Sequence, residues 1–337
     1  MEYRNEQLVE CPLASVLILT YNQENLIGQT IDSILAQETT FPFEIILVDD
    51  CSPDGTKAVC LEYYHTYSDR ILFIANDVNK GIKRNYFESL CTYARGKYIA
   101  ICGGDDWWED KQKLQKQVVF LEQNRDYDLV HTKARVYLEK SHRYLTKTIG
   151  YDRNLFEKMI VNNGIAALTT CFSRDAFMEY VREMDPVNMD IPTDDYATWI
   201  WFSFRKKIHL LEDITSVYRI LPESASNSAL PEKRFIIEKD RIDIKMFFYR
   251  YFHLSDPGIL YRIQLRYFLD VMSITPLLGN KEHEKERDSF WLDHKLYHFY
   301  VLSHLYDWVG TNVFWNGKLH FLERVIRRLV PARKYYI

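Results

Sequence analysis

Glu44-Ile-Ile-Leu-Val-Asp49-Asp50 decides the reading of the fold, because an unbroken apolar run that delivers two adjacent carboxylates describes a buried strand ending at a polar edge. The pattern recurs in Tyr98-Ile-Ala-Ile-Cys-Gly-Gly-Asp105-Asp106. Aspartate is a poor strand former and costly to bury as an ion, so paired acids where strands emerge point to a ligand that needs them. Hard cations and ribose hydroxyls are such ligands.

Outward from these strands, short apolar runs alternate with helical periodicity. Ser15-Val-Leu-Ile-Leu-Thr20 is a further strand, and Leu26, Ile27, Ile31, Ile34 and Leu35 give a helix from about Glu24. Ser52-Pro-Asp-Gly-Thr56 supplies turn and cap residues before a helix, and Ile71–Ala75 predicts the next strand. Helices follow over Lys80–Tyr93 and Asp110–Glu122, with the Lys97–Cys102 strand between them. The series predicts an α/β fold with a mostly parallel sheet and flanking helices. Strand pieces at Ile208–Leu211 and Ser216–Ile220 and helices at Arg174–Arg182 and Tyr196–Phe204 complete a unit over 1–228; 229–337 reads as a helical, aromatic-rich C-terminal appendage.

Composition narrows the function. The chain has 337 residues, 47% apolar and 27% charged, with a formal charge of -4, which argues against a nucleic-acid partner. Its 6 cysteines form no CxxC pair and read as reduced, buried thiols. No leader-type or membrane-spanning apolar run is apparent, so the expected location is cytoplasmic. Phe321–Ile337 mixes apolar residues with Arg324, Arg327, Arg328, Arg333 and Lys334; it packs on the protein with solvated arginines, or it lies on the inner face of an anionic membrane.

Ligands of open parallel sheets bind beyond the carboxyl ends of the strands. Thr20-Tyr21-Asn22, Asp49-Asp50, Asn76–Gly81 and Gly103–Asp106 all fall there. Asp54 reads as a helix cap, whereas Asp49 with Asp50 exceeds what one cap needs. Asp105 and Asp106 either cap the next helix or present oxygens to a divalent ion bridging a diphosphate. Neither GxGxxG nor GxxxxGK[ST] is present, Ser52 stands where a phosphotransferase aspartate would be, and no HExxH occurs. In Thr193-Asp194-Asp195-Tyr196 one acid can cap the following helix, leaving the other as a general base.

The ordered set Ser15–Asn22, Ile34–Gln37, Glu44–Thr56, Asn79-Lys-Gly81 with Arg84-Asn85, Ala94–Ile99 and Gly104-Asp-Asp106 closely resembles the family 2 glycosyltransferases of GT-A fold. The resemblance covers about the first 220 residues. It implies inverting transfer, aided by Mn2+ or Mg2+, from a nucleoside-diphosphate sugar, expected to be UDP-linked, to an acceptor hydroxyl in polysaccharide or glycolipid synthesis. The sugar would be a hexose or N-acetylhexosamine, the acceptor a glycan or lipid-linked glycan. Thr20, Tyr21, Asn22 and Glu24 would line the base and ribose pocket, Asp50 would hold the nucleoside, and Asp49 would support that loop. Arg84 would approach the diphosphate, Asp105 the metal, and Asp106 the donor sugar. Asp195 would be the base, with Asp194 second. Two departures stand out: Gly103 replaces the acid that usually opens the DxD motif, and Leu221-Pro222-Glu223-Ser224 lacks the histidine that many relatives carry. A sugar-phosphate nucleotidyltransferase and a non-catalytic nucleotide-sugar-binding protein remain the alternatives.

Overall fold

A computed structural model describes residues 1–152, 155–189, 195–222, 230–272, 274, 281–293 and 303–304. The chain divides into two compact units, Met1–Leu221 and Pro222–Ile337. The first contains strands β1 (Glu2–Tyr3), β2 (Ala14–Thr20), β3 (Phe43–Asp49), β4 (Ile71–Ala75), β5 (Tyr98–Gly103), β6 (Trp107–Trp108), β7 (Leu129–Leu138), β8 (Arg143–Tyr144), β9 (Thr170–Ser173) and β10 (Ile208–Ile220). Its helices are α1 (Ile27–Leu35), α2 (Thr56–Thr66), α3 (Ile82–Tyr93), α4 (Lys113–Gln123), α5 (Phe156–Met159), α6 (Arg174–Met184) and α7 (Asp195–Arg205).

All ten strands join one sheet, ordered β1-β4-β3-β2-β5-β9-β7-β10-β6 with β8 beside β7. β4, β3, β2 and β5 run parallel. They are buried almost throughout, as strands covered on both faces must be, which is why their sequences read as continuous apolar runs. Ile27, Ile31 and Ile34 carry the buried stripe of α1 into the same core as Val16, Ile18, Ile45 and Leu47. The short β9 runs antiparallel between β5 and β7, so the sheet is mixed rather than simply parallel.

The two pieces expected at 208–211 and 216–220 are one strand, β10, whose register against β7 shifts between Leu210 and Ile214 and again before Ser216. These irregularities place polar Glu212 and Asp213 in mid-strand, which made the sequence read as two. The cysteines also differ from expectation. All six are free, but Cys11 and Cys51 are exposed, because both sit in loops rather than in the apolar strands.

At the amino end of the parallel strands, Glu44 is fully buried and receives Ser15 Oγ at 2.7 Å and Arg95 Nε at 2.8 Å. Gly96 packs so tightly there that a Cβ would stand 2.6 Å from the carbonyl carbon of Ala14 and the nitrogen of Ser15. Main chain cannot yield as a side-chain tip does, so Gly96→Ala is expected to cost about 1–3 kcal/mol in urea denaturation. A loss within experimental error would show that the strand ends reseat freely.

Lys113 on α4 is fully buried, donates to Gln117 Oε1 at 2.6 Å and lies 4.0 Å from the centre of the Trp108 ring. Desolvation lowers its ammonium from the ordinary 10.5 to about 8. Between those values the unfolded chain binds the extra proton, so stability rises with pH across that window. Lys113→Met should remove up to about 3 kcal/mol of that rise. Parallel pH–stability curves for the two proteins would refute the assignment.

The second unit contains α8 (Pro231–Tyr251), α9 (Pro257–Met272) and α10 (Lys281–Asp293). Phe248, Ile263, Tyr267 and Trp291 are buried, with Tyr267 and Trp291 rings 5.5 Å apart, so these aromatics form a helical core. No helix among the described residues is long and apolar enough to cross a membrane. The basic stretch 321–337 lies outside the described residues.

Candidate active site

Thr20 pairs with Asp49, Asp49 with Ala75, and Leu19 with Gly103, so the carboxyl ends of β2, β3, β4 and β5 lie side by side. β2 and β5 flank the point where the strand order reverses, the place where loops diverge and leave a crevice. The topology therefore gathers Thr20–Glu24, Asp49–Asp50, Asn76–Gly81 and Gly103–Asp106 along one edge.

The loop after β2 is laced to the loop after β3. The Asn22 amide donates to Ser52 Oγ at 3.0 Å, the Gln23 amide to Thr56 Oγ1 at 2.7 Å, and the Glu24 amide to Asp54 Oδ2 at 3.1 Å. In return the Gly55 amide donates to Glu24 Oε2 at 2.5 Å. Asn22 and Cys51 both adopt left-handed backbone, φ 56° and 61°, a costly conformation held in place by this lacing. Tyr21 stands 49% exposed at the rim. Asp54 is not the N-cap of α2, which is Gly55, but it stands one residue earlier and accepts from the Thr56 amide at 3.1 Å. Burial opposes its ionisation, but hydrogen bonds from Thr56 and the Glu24 amide prevail and lower its carboxyl.

Asp49 and Asp50 perform different tasks. Asp49 is fully buried and receives both the hydroxyl and the amide of Ser52. Desolvation raises its carboxyl against those bonds. Asp50 accepts from Asn76 Nδ2 at 3.0 Å, the Lys80 amide at 2.8 Å and the Gly81 amide at 2.9 Å. It thus shapes the loop leading into α3. Arg84, one turn into α3, is 60% exposed and paired with Glu88 at 2.6 Å, so a diphosphate there would compete with that carboxylate.

The acidic turn after β5 is clamped by α1. Thr30 Oγ1 donates to the carbonyls of Asp106 at 2.6 Å and Gly104 at 3.0 Å, and the Trp108 amide donates to Ser33 Oγ at 3.1 Å. A Cβ on Gly103 would meet Asp105 Oδ1 at 2.8 Å and Asp106 Oδ2 at 3.5 Å, so both carboxylates converge over the space that Gly103 leaves open. Neither acid caps α4; the Gln112 amide uses Asp110 instead, at 2.9 Å. Desolvation raises the carboxyls of both, and Asp106 is pushed up further by the charge of Asp105.

Among the described residues, no three His, Cys, Asp or Glu side chains gather into a complete cation cage. Two converging carboxylate oxygens still fit a hard cation that takes its other ligands from phosphate and water. A cation there would offset the repulsion and desolvation that raise both acids.

Asp195 opens α7 and accepts from Trp199 Nε1 at 3.3 Å. The helix start is fixed by buried Tyr196, whose hydroxyl donates to the Met159 carbonyl at 2.7 Å. Asp194 lies outside the described residues. Lys83 Nζ, at the start of α3, donates to the Met189 carbonyl at 2.8 Å.

Sequence reasoning did not single out Arg219, Gln29 or Glu139. Arg219 is only 6% exposed at the end of β10, and its backbone N–H donates to Asp106 Oδ1 at 2.8 Å. An arginine between Tyr218 and Ile220, near the end of a strand, was the available signal.

The sequence model described as "Glycosyl transferase family 2" matches residues 15–181. An uncharacterized glycosyltransferase of Methanocaldococcus jannaschii is 31% identical over 214 residues, covering 62% of this chain and 71% of its own. The Escherichia coli UDP-Glc:alpha-D-GlcNAc-diphosphoundecaprenol beta-1,3-glucosyltransferase WfgD is 26% identical over 229 residues, 65% of this chain and 82% of its own. Mycobacterial relatives are matched over 62% of their length. In structure, the mannosyltransferase PcManGT of Pyrobaculum calidifontis, solved with GDP-Man and Mn2+, aligns with a TM-score of 0.53 over 93% of this chain and 88% of its own at 16% identity, a likeness of fold.

Proposed function

This chain belongs to glycosyl transferase family 2, and from that premise we propose that it moves a sugar, with inversion, from a uridine-diphosphate sugar to a hydroxyl of a glycan or lipid-linked glycan. The observation that carries the reading is the alignment of Thr20, Asp49 and Gly103 at the ends of adjacent parallel strands, where the strand order reverses and two carboxylates converge over Gly103. The uridine donor and the lipid-linked acceptor are supported by the name of the WfgD relative.

Thr20, Tyr21, Asn22 and Glu24 would bind the base and ribose, with Asp50 against the nucleoside and Asp49 holding that loop. Asp105 would hold Mn2+ or Mg2+, Arg84 would approach the diphosphate, and Asp106 would face the donor sugar. A bound cation supplies charge neutralisation for the departing diphosphate. Asp195 takes the proton of the acceptor hydroxyl while that oxygen attacks the anomeric carbon from the face opposite the diphosphate. One carbon–oxygen bond forms as the other breaks, so configuration inverts once.

Thermal-shift measurements with UDP, GDP and their sugars, with and without MnCl2, test the donor assignment. Saturation at 100 times Kd is worth about 2.7 kcal/mol, a shift of several degrees. UDP with Mn2+ is expected to give the largest shift; no shift with any nucleotide would overturn the reading. Slow UDP release from a UDP-sugar supports the transferase, whereas binding without release would make the chain a nucleotide-sugar-binding protein.

A further inference from the structure

Arg219, the residue before the last of β10, is a buried cation whose side chain bonds three other segments, the acidic turn among them. Nε donates to the Asp105 carbonyl at 2.7 Å, Nη2 to Gln29 Oε1 on α1 at 2.6 Å, and Nη1 to Glu139 just beyond β7. The guanidinium lies 4.7 Å from the centre of the Trp107 ring and 5.7 Å from that of Tyr137. One rigid fork thereby joins four segments that are remote in sequence, and the planar donor set makes lysine a poor substitute.

What the fork grips is informative. It holds the Asp105 main chain, while Thr30 holds the Gly104 and Asp106 carbonyls. The turn is fixed by its backbone, and Asp105 Oδ1 and Asp106 Oδ2 are left converging over Gly103. Arg219 therefore meets this turn twice, its guanidinium at the Asp105 carbonyl and its own amide at the Asp106 carboxylate.

We propose that Arg219 is the positioning residue of the Asp105–Asp106 pair, holding the turn so that its carboxylates meet the cation and diphosphate of a donor as a preformed unit. This rests on the donor-site reading above. Arg219 touches no reacting atom; it acts through the two acids.

The bond from the Arg219 amide to Asp106 survives any side-chain change, so substitution isolates the guanidinium. Arg219→Met keeps an apolar stem against Trp107, and Arg219→Lys keeps the charge without the fork. Amide hydrogen exchange over residues 103–108 is expected to accelerate at least tenfold in both variants, with 14–20 and 43–49 unchanged. By calorimetry, UDP affinity in MnCl2 should fall at least tenfold, while affinity without Mn2+ stays within twofold. Wild-type exchange in the turn, or equal losses of UDP affinity with and without Mn2+, would overturn the proposal. Should Arg219→Met not fold, the same two measurements on Arg219→Lys decide the matter. If the wild-type protein shows no Mn2+-dependent UDP binding, the donor reading fails, and exchange in the turn still judges whether Arg219 positions it.

Discussion

Asp195→Asn is expected to slow sugar transfer by about 10²- to 10⁴-fold, the usual worth of a general base, while UDP affinity changes less than about twofold. Asparagine has the same shape and still offers an oxygen to Trp199 Nε1, so the start of α7 and its anchoring through Tyr196 are preserved. On the proposed reading, what is lost is the capacity to take a proton from the acceptor hydroxyl. UDP release from a UDP-sugar, measured beside UDP calorimetry, separates the two effects. Donor affinity falling in step with turnover would make Asp195 a structural residue.

Asp105→Asn should act in opposite directions on binding and on stability. Desolvation raises both acids of the turn, and Asp105 adds its charge against Asp106. An acid raised by folding costs stability at pH above its unfolded value, and the cost grows until the folded value is reached. Removing one charge at neutral pH should therefore leave the free protein unchanged or more stable by about 1 kcal/mol. The Mn2+-dependent part of UDP affinity should fall about 100-fold, since an amide is a weaker ligand for a hard cation. A variant that melts lower yet binds UDP and Mn2+ normally would contradict both halves.

The sequence disclosed most of the first unit because its signals are local. β2, β3, β4 and β5 are buried on both faces and therefore spell out as apolar runs, and Asp54-Gly55-Thr56 is legible as the turn into α2. Placing acids at strand ends required only the rule that parallel strands share their carboxyl edge. Long-range pairings were not legible. Nothing near Glu139 or Gln29 announces Arg219, which stands 80 residues from one and 190 from the other. β10 misled because its irregular middle breaks the alternation that marks a strand. The exposure of Cys51 was not legible either, because the residue lies two positions past a buried strand and itself adopts left-handed backbone.

The four-residue β9 has a broader consequence. It meets β5 through three residue pairs and β7 through three more, whereas β2 meets β3 through seven. Long ladders stand on either side of it, β2–β3 in one half and β7–β10 in the other, and the reversed strand is the narrow seam that joins them. Arg219 on β10 reaches back past this seam to the Asp105 carbonyl, and β6, just after the acidic turn, pairs with β10, so a change of angle on the far side would be carried straight to the two carboxylates.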